Sequence, residues 1–234
     1  MAEMDLFEAM YTARAIRRFK PDPVPDDVMT RVLDAAIRAP SGSNAQGWIF
    51  VVVKDAEKRR RLGAIYNKAS KILTALYAQR PRAAHFTEEQ YQRFMSSVTY
   101  LFEHMGDAPV LLLACLKAAP GPAPSGLSPE VQSAMARAAR TQGASIYPAV
   151  QNIILACRAF GLGTVLTTIH TFFEDEVKAV VGLPPEVSTY ALMPIGYPRG
   201  KFGPVRRLPV NQVACLDSYD TPWPGVAVTV VKTS

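Results

Sequence analysis

Apolar and polar positions follow two rhythms along this chain. From Leu6, in "LFEAMYTA", apolar residues return at helical spacing, and Leu6, Met10 and Ala13 fall on one face of a short helix predicted over residues 5–14. "FKPDPVP" (19–25) breaks that run. Pro25 suits the first position of a second helix, because its missing N–H would have no partner there. Asp26 and Asp27 follow, where the helix dipole favours acids. Val28, Val32, Leu33 and Ala36 form the apolar stripe, Asp27 and Arg31 stand at pairing distance, and Pro40 should stop the helix near Ala39.

The second rhythm is that of strands. "WIFVVV" (48–53) and "APVLLLACL" (108–116) predict two buried strands. Between them, residues 56–80 read as a helix and 82–106 as one or two helices of a lid or insertion. "AAPGPAPSGLSP" (118–129) is a loop. Residues 130–160 read as helical, with Ile146, Val150, Ile153, Ile154 and Cys157 in register and Gly161 as the stop. "TVLTT" (164–168) predicts a third strand. Thr171 and Glu174 match a capping box that opens a helix to about 182. "TYALMPIGYP" (189–198) predicts a fourth strand, and the tail "WPGVAVTVVKTS" could pair as an added one. Helices alternate with isolated strands, yet neither GxGxxG nor GxxxxGK[ST] follows the first strand. An α+β fold, a sheet flanked by helices, accounts for this best.

Composition narrows the class. The 234 residues, 49% apolar and 20% charged, suit one large globular domain. No run reaches the roughly 18 apolar residues of a membrane span, and "MAEMDLFEAM" lacks the basic start of a signal peptide, so a cytoplasmic protein is expected. Cys115, Cys157 and Cys215 lie far apart without CxxC spacing and are expected to pack as small apolar residues. The three His give no metal-ligand spacing, and His170 is expected in a structural or exposed role. The formal net charge of +6 is spread over short clusters, which suit a small anionic ligand at least as well as a nucleic acid.

Three polar stretches carry the candidate chemistry. "RAIRRF" places Arg14 and Arg17 three apart, at a helix end or turn, with planar donor forks suited to phosphate and carbonyl oxygens. "APSGSNAQGW" (39–48) is longer than a helix-to-strand connection needs and offers Ser41, Ser43 and Asn44 around Gly42. "GPVRRLP" (203–209) holds Arg207 before a Leu-Pro. Alone, the first also reads as a solvated basic patch, the second as an elaborate helix cap and the third as a basic surface turn. In order, with "GLGTVLTT" and "PIGYP" between them, they resemble the nitroreductase family of FMN-dependent oxidoreductases, over about residues 5–215.

That resemblance implies an α+β fold with a central mixed, mainly antiparallel sheet, in a single domain over 1–234 whose residues 82–130 form a variable lid. It implies an intertwined homodimer with two FMN sites at the interface. Carried over by position, Arg14, Ala15 and Arg17 belong to the N-terminal FMN motif, with Arg17 approaching flavin N1 and O2. Pro40, Ser41, Gly42 and Asn44 match the loop that reaches the partner's FMN. Thr167 and Thr168 match the segment beside N5 and O4, and Arg207 the late phosphate-binding Arg. NADPH or NADH would donate electrons, and an electron-poor nitroaromatic, quinone, enone or haloaromatic would accept them in a ping-pong cycle. The lid aromatics Phe86, Tyr91, Phe94, Tyr100 and Phe102 would cover the pocket. No acid–base dyad is visible.

Departures matter too. Ala13 and Ala15 stand where relatives often have Arg and Ser, and Gly47 where Pro is common. "LTT" looks like the deiodinase-like branch, which clamps an amino-acid zwitterion with a lid Glu, Tyr and Lys. Glu88, Glu89 and Tyr91 are present, but no Lys lies between Lys71 and Lys117, which argues against an iodotyrosine-like substrate. The alternative function is a flavin-binding protein that stores, senses or dismantles FMN without a separate organic substrate.

Overall fold

The structure is a computed structural model that describes residues 4–79, 81–83, 86–117 and 126–225. Helices α1 (Leu6–Thr12), α2 (Asp26–Ala36), α3 (Ala56–Tyr77), α4 (Glu88–His104), α5 (Pro129–Ala138), α6 (Tyr147–Ala159) and α7 (Glu174–Val181) surround strands β1 (Trp48–Val53), β2 (Val110–Lys117), β3 (Gly163–Thr164) and β4 (Val187–Gly196). The strands form one sheet in the order β1-β2-β4-β3, and each pairing is antiparallel. The α+β expectation holds.

The continuous apolar run of β2 has a simple cause. Successive strand residues face opposite sides, and helices cover both. Leu111, Leu113 and Cys115 join a core with Leu62, Ile65 and Tyr66 of α3 and Leu101 and Phe102 of α4. Val110, Leu112 and Ala114 join a second core with Val32 and Ala36 of α2 and Val150 and Ile153 of α6. With water excluded from both faces, no polar residue is tolerated in the middle of β2. A bulge between Ala114 and Cys115 leaves Tyr190 of β4 unpaired, because Ala191 and Thr189 face successive residues of β2.

Several local expectations are corrected. The predicted helix over 130–160 is two: α5 ends at Ala138, and α6 starts with Pro148 in its first turn, where a ring without an N–H costs no helical bond. The third strand shrinks to Gly163–Thr164, and Thr167 makes only an isolated bridge to Leu192. The Thr171–Glu174 capping box does not form. Thr171 Oγ1 donates to the Thr168 carbonyl at 2.8 Å, while Glu174 accepts from the N–H and hydroxyl of Thr189 at 2.5 and 2.8 Å. Two donors on β4 outcompete a single local cap. Pro25 is the cap before α2, not its first residue, and Arg31 lies 4.5 Å over the Phe160 ring.

On α1 the buried side is Ala9 and Thr12, whereas Leu6 and Met10 are 56% and 45% exposed. The small side matters because Arg158 of α6 comes close enough to donate to Thr12 Oγ1 at 2.8 Å. β1 is an edge strand, and only Val53 is buried. Cys115 and Cys157 are buried as expected, but Cys215 is exposed, its thiol donating to the Tyr219 carbonyl at 3.0 Å. Most of the loop over 118–129 and of the expected C-terminal strand lies outside the described residues. No helix among the described residues is long and apolar enough to cross a membrane.

Candidate functional site

The arginine motif lies on extended chain, not on a helix end. α1 stops at Thr12, and residues 13–18 run beside β3 and the end of β4. The Ile16 N–H donates to the Thr164 carbonyl at 3.0 Å, and the Arg199 N–H to the Arg18 carbonyl at 3.0 Å. This close approach needs Gly163: a Cβ there would sit 2.6 Å from Ile16 Cγ2. Buried Ile16 thus anchors the segment, leaving Arg14 and Ala15 exposed and Arg17 half-buried.

Arg17 meets a residue that the sequence did not single out. Tyr66, on the buried face of α3, is 3% exposed. Its hydroxyl lies beside the Thr167 side chain and within electrostatic reach of Arg17. Burial holds the Tyr66 phenol neutral by pushing its pKa up to about 12, against the opposing effects of Thr167 and Arg17. Thr167 Oγ1 in turn donates to the Leu192 carbonyl at 2.5 Å, and the Leu192 N–H returns to the Thr167 carbonyl at 2.9 Å. Thr168 is exposed, and its carbonyl accepts the Thr171 N–H. Burial lowers the pKa of Arg17, Tyr66 raises it, and Arg14 lowers it again. Among the described residues no carboxylate pairs with Arg17. A half-buried guanidinium with a tyrosine and a threonine for company, and no anion, fits the electron-rich edge of a flavin. The clue to Tyr66 was available: a phenol on an otherwise apolar helix stripe must find a partner for its hydroxyl.

The second stretch is elsewhere. Residues 42–44 form one tight helical turn, and Ser43, Asn44 and Gln46 have φ of 52°, 51° and 51°. Three non-glycine residues in the left-handed region are strained, and such strain clusters at functional sites. Ser145, ahead of α6, holds the loop down. Its Oγ accepts the Gly42 N–H at 3.0 Å, and its carbonyl accepts the Trp48 indole N–H at 2.5 Å. The Ser41 hydroxyl accepts the Gln46 N–H at 3.0 Å. Pro40, Gly42 and Asn44 are exposed. Gly47 matters as well, since a proline there would push Gln46 out of its left-handed conformation.

Sheet geometry separates the two stretches. Trp48, just after the loop, is level with Leu116 and Ser188 at the start of β4, whereas Thr164 faces Ile195 near its end. At about 3.3 Å per residue and about 4.8 Å per strand, they lie roughly 25 Å apart within one chain. The structure thus brings Arg17 and Thr167 together around Tyr66 and keeps Pro40, Ser41, Gly42 and Asn44 away from them. Arg207 is exposed, its Nη1 donating to the Arg206 carbonyl at 2.8 Å. Its segment is tied to the end of α1 by the Val205 N–H, which donates to the Tyr11 carbonyl at 2.9 Å.

The lid aromatics divide. Phe102 is buried against Tyr66, with ring centroids 6.0 Å apart. Phe86 packs with Tyr91 and Phe94, and the Arg17 guanidinium lies 5.7 Å from the Phe94 centroid. Glu88 and Glu89 pair with Arg82 and Arg93. His170 is fully buried, and neither ring nitrogen has a partner among the described residues. Burial lowers its pKa to about 4 despite the nearby Glu174 carboxylate.

Comparison with known proteins identifies the family and the fold. A model of the nitroreductase family matches residues 11–197. The chain is 32% identical over 224 residues to an NADH dehydrogenase of Thermus thermophilus, covering 90% of this chain and 95% of the relative. A BluB-like flavoprotein from Clostridium difficile 630 superposes with a TM-score of 0.69 at 25% identity, over 92% of this chain and all of that one. An oxidized iodotyrosine deiodinase bound to FMN and 3-iodo-L-tyrosine shares the fold with a TM-score of 0.65 at 24% identity, over 93% of this chain and all of that one.

Proposed function

The chain belongs to the nitroreductase family, and on that premise we propose that it is an FMN-dependent oxidoreductase, passing two electrons from NADH or NADPH to an electron-poor organic acceptor in a ping-pong cycle. Nitroaromatics, quinones, activated enones and haloaromatics are the acceptor classes. Bound FMN would supply the reversible two-electron chemistry. The observation that carries the reading is the half-buried Arg17, which pairs with no carboxylate among the described residues and lies within electrostatic reach of a neutral Tyr66 beside Thr167.

In this reading Arg17 sits at N1 and O2, where its fixed positive charge favours the charge that reduction places there. Thr167 and Thr168 line the N5 and O4 side. Arg14 and Arg207, both exposed, hold the phosphate and ribityl chain, with the backbone at Ala15 between them. Pro40, Ser41, Gly42 and Asn44 serve the site of a second copy. The separation of roughly 25 Å between the loop and the arginine stretch within one chain supports that assignment. The functional unit is therefore a homodimer of nitroreductase-like domains, each spanning 1–234, with 82–130 as cover.

Anaerobic stopped-flow measurement tests the reading. Purified protein is expected to be yellow, to bleach on mixing with NADH or NADPH, and to regain colour with a quinone or nitroaromatic. A yellow protein that no donor bleaches would favour the storage, sensing or dismantling alternative. A colourless protein that takes up no FMN would sink both.

A further inference from the structure

A cleft of about 230 Å³ opens beside Arg17 and is lined by Arg17, Phe19, Tyr100, His104, Asp107 and Arg199 among others. Its arginines are held by contacts that are not ion pairs among the described residues. Arg199 uses its Nε on the Phe19 carbonyl at 2.8 Å, which leaves its two terminal amino groups without a protein acceptor among the described residues. Arg18 lies 3.7 Å over the Tyr100 ring, and Tyr100 stacks on His104 with centroids 4.1 Å apart. The carboxylate of the cleft, Asp107, is already engaged by His104 Nδ1 at 2.7 Å. Among the described residues none of Arg17, Arg18 and Arg199 forms an ion pair.

A carbonyl bond or an aromatic ring does not neutralise these arginines. An anion in the cleft would. Arginine's planar fork matches phosphate geometry, and Arg199 presents two free amino groups. The cleft has room for a phosphate group. Arg17 marks the direction of the flavin.

We propose that this cleft is an anion subsite that seats a phosphate group of the nicotinamide donor while its ring reaches the flavin beside Arg17. The proposal rests on the oxidoreductase reading above. It adds Arg199 and Arg18 as binding residues for the donor, outside the flavin contacts.

Two measurements test it in the wild type, Arg199→Ala and Arg199→Gln; the glutamine keeps a donor for the Phe19 carbonyl and guards against misfolding. Calorimetric titration of the FMN-loaded protein with ADP-ribose, which carries the phosphates without the nicotinamide ring, should show a dissociation constant at least tenfold weaker in both variants. In stopped-flow reduction, the half-saturating concentration of NADPH or NADH, divided by that of 1-benzyl-1,4-dihydronicotinamide, should rise at least tenfold, because the benzyl donor has no phosphate. Wild-type protein that does not bind ADP-ribose, variants that bind it as tightly as wild type, or an unchanged donor ratio each overturn the proposal. If no donor bleaches the flavin, not even the phosphate-free one, the oxidoreductase reading fails, and the calorimetry still decides the anion cleft.

Discussion

Two polar regions of this chain are built on opposite principles. Around Tyr66 the polar groups are sunk into the protein: Arg17 is half-buried, Thr167 is bonded across to Leu192, and the phenol is sealed under α3. Packing around Tyr66 and Thr167 fixes them, so they are pre-organised without backbone strain. The loop over 40–47 is the reverse. It stands in solvent, keeps three left-handed residues, and is held by hydrogen bonds to Ser145 and within itself. A surface segment that stores strain and buries little within its own chain suits the proposed contact with a second copy.

The comparison can be broken from either side. The largest effect is expected at the packed region. Arg17→Ala should leave a folded protein whose affinity for FMN falls about 100-fold, as the loss of a charge-assisted contact in a shielded place implies; flavin retained through dialysis at wild-type occupancy would show that Arg17 does not meet the cofactor.

Next comes acid. His170 holds its proton with a pKa near 4 in the folded chain, against 6.5 as its ordinary value. The unfolded chain takes up that proton first. Stability is therefore fully present above about pH 6.5 and is lost as pH falls toward 4, by about 3 kcal/mol. Urea unfolding across that range should show the loss, and His170→Leu should flatten it. An identical slope in the variant would assign the acid sensitivity to other groups. The exposed loop contains no titratable side chain and should contribute nothing.

Ser145→Ala sharpens the other side. It frees the Gly42 N–H but keeps the Ser145 carbonyl on Trp48. FMN affinity of the dimer should fall about fivefold, with stability down by only about 1 kcal/mol. Ser145→Thr keeps a hydroxyl and should recover most of the affinity. Equal loss in both variants would mean that the bond to Gly42 does not set the loop. The smallest effect is expected at Ser43→Gly, which relieves φ of 52°. Relief of strain is partly offset by the freedom glycine gains on unfolding, for a net gain below about 1 kcal/mol. A drop in melting temperature would show that the Ser43 side chain holds the loop in a way its backbone angle does not reveal.

Much of the fold was legible because it follows from local rules. The continuous run "VLLLAC" predicts a strand covered on both faces, and β2 is one. Asp26 and Asp27 announce α2, and Gly161, at φ of 72°, stops α6. Where local rules competed with partners distant in sequence, the distant partners won. Glu174 left its local cap for Thr189 of β4, and the apolar face of α1 turned outward because Thr12 was drawn to Arg158.

The candidate site divides along the same line. By itself the sequence determined which stretches are too polar or too cationic for plain connections, since side-chain chemistry and backbone preference are properties of a residue and its near neighbours. That was enough to mark "RAIRRF", the loop after Ala39, the Thr pair and Arg207. Only the tertiary structure decided which of them are neighbours. It placed Tyr66 between Arg17 and Thr167, opened the arginine cleft beside Arg199, and set the loop at the far end of the sheet. The physical reason is that sheet order and strand register are fixed by burying two apolar faces at once, a condition on the whole chain that no short stretch of it can carry.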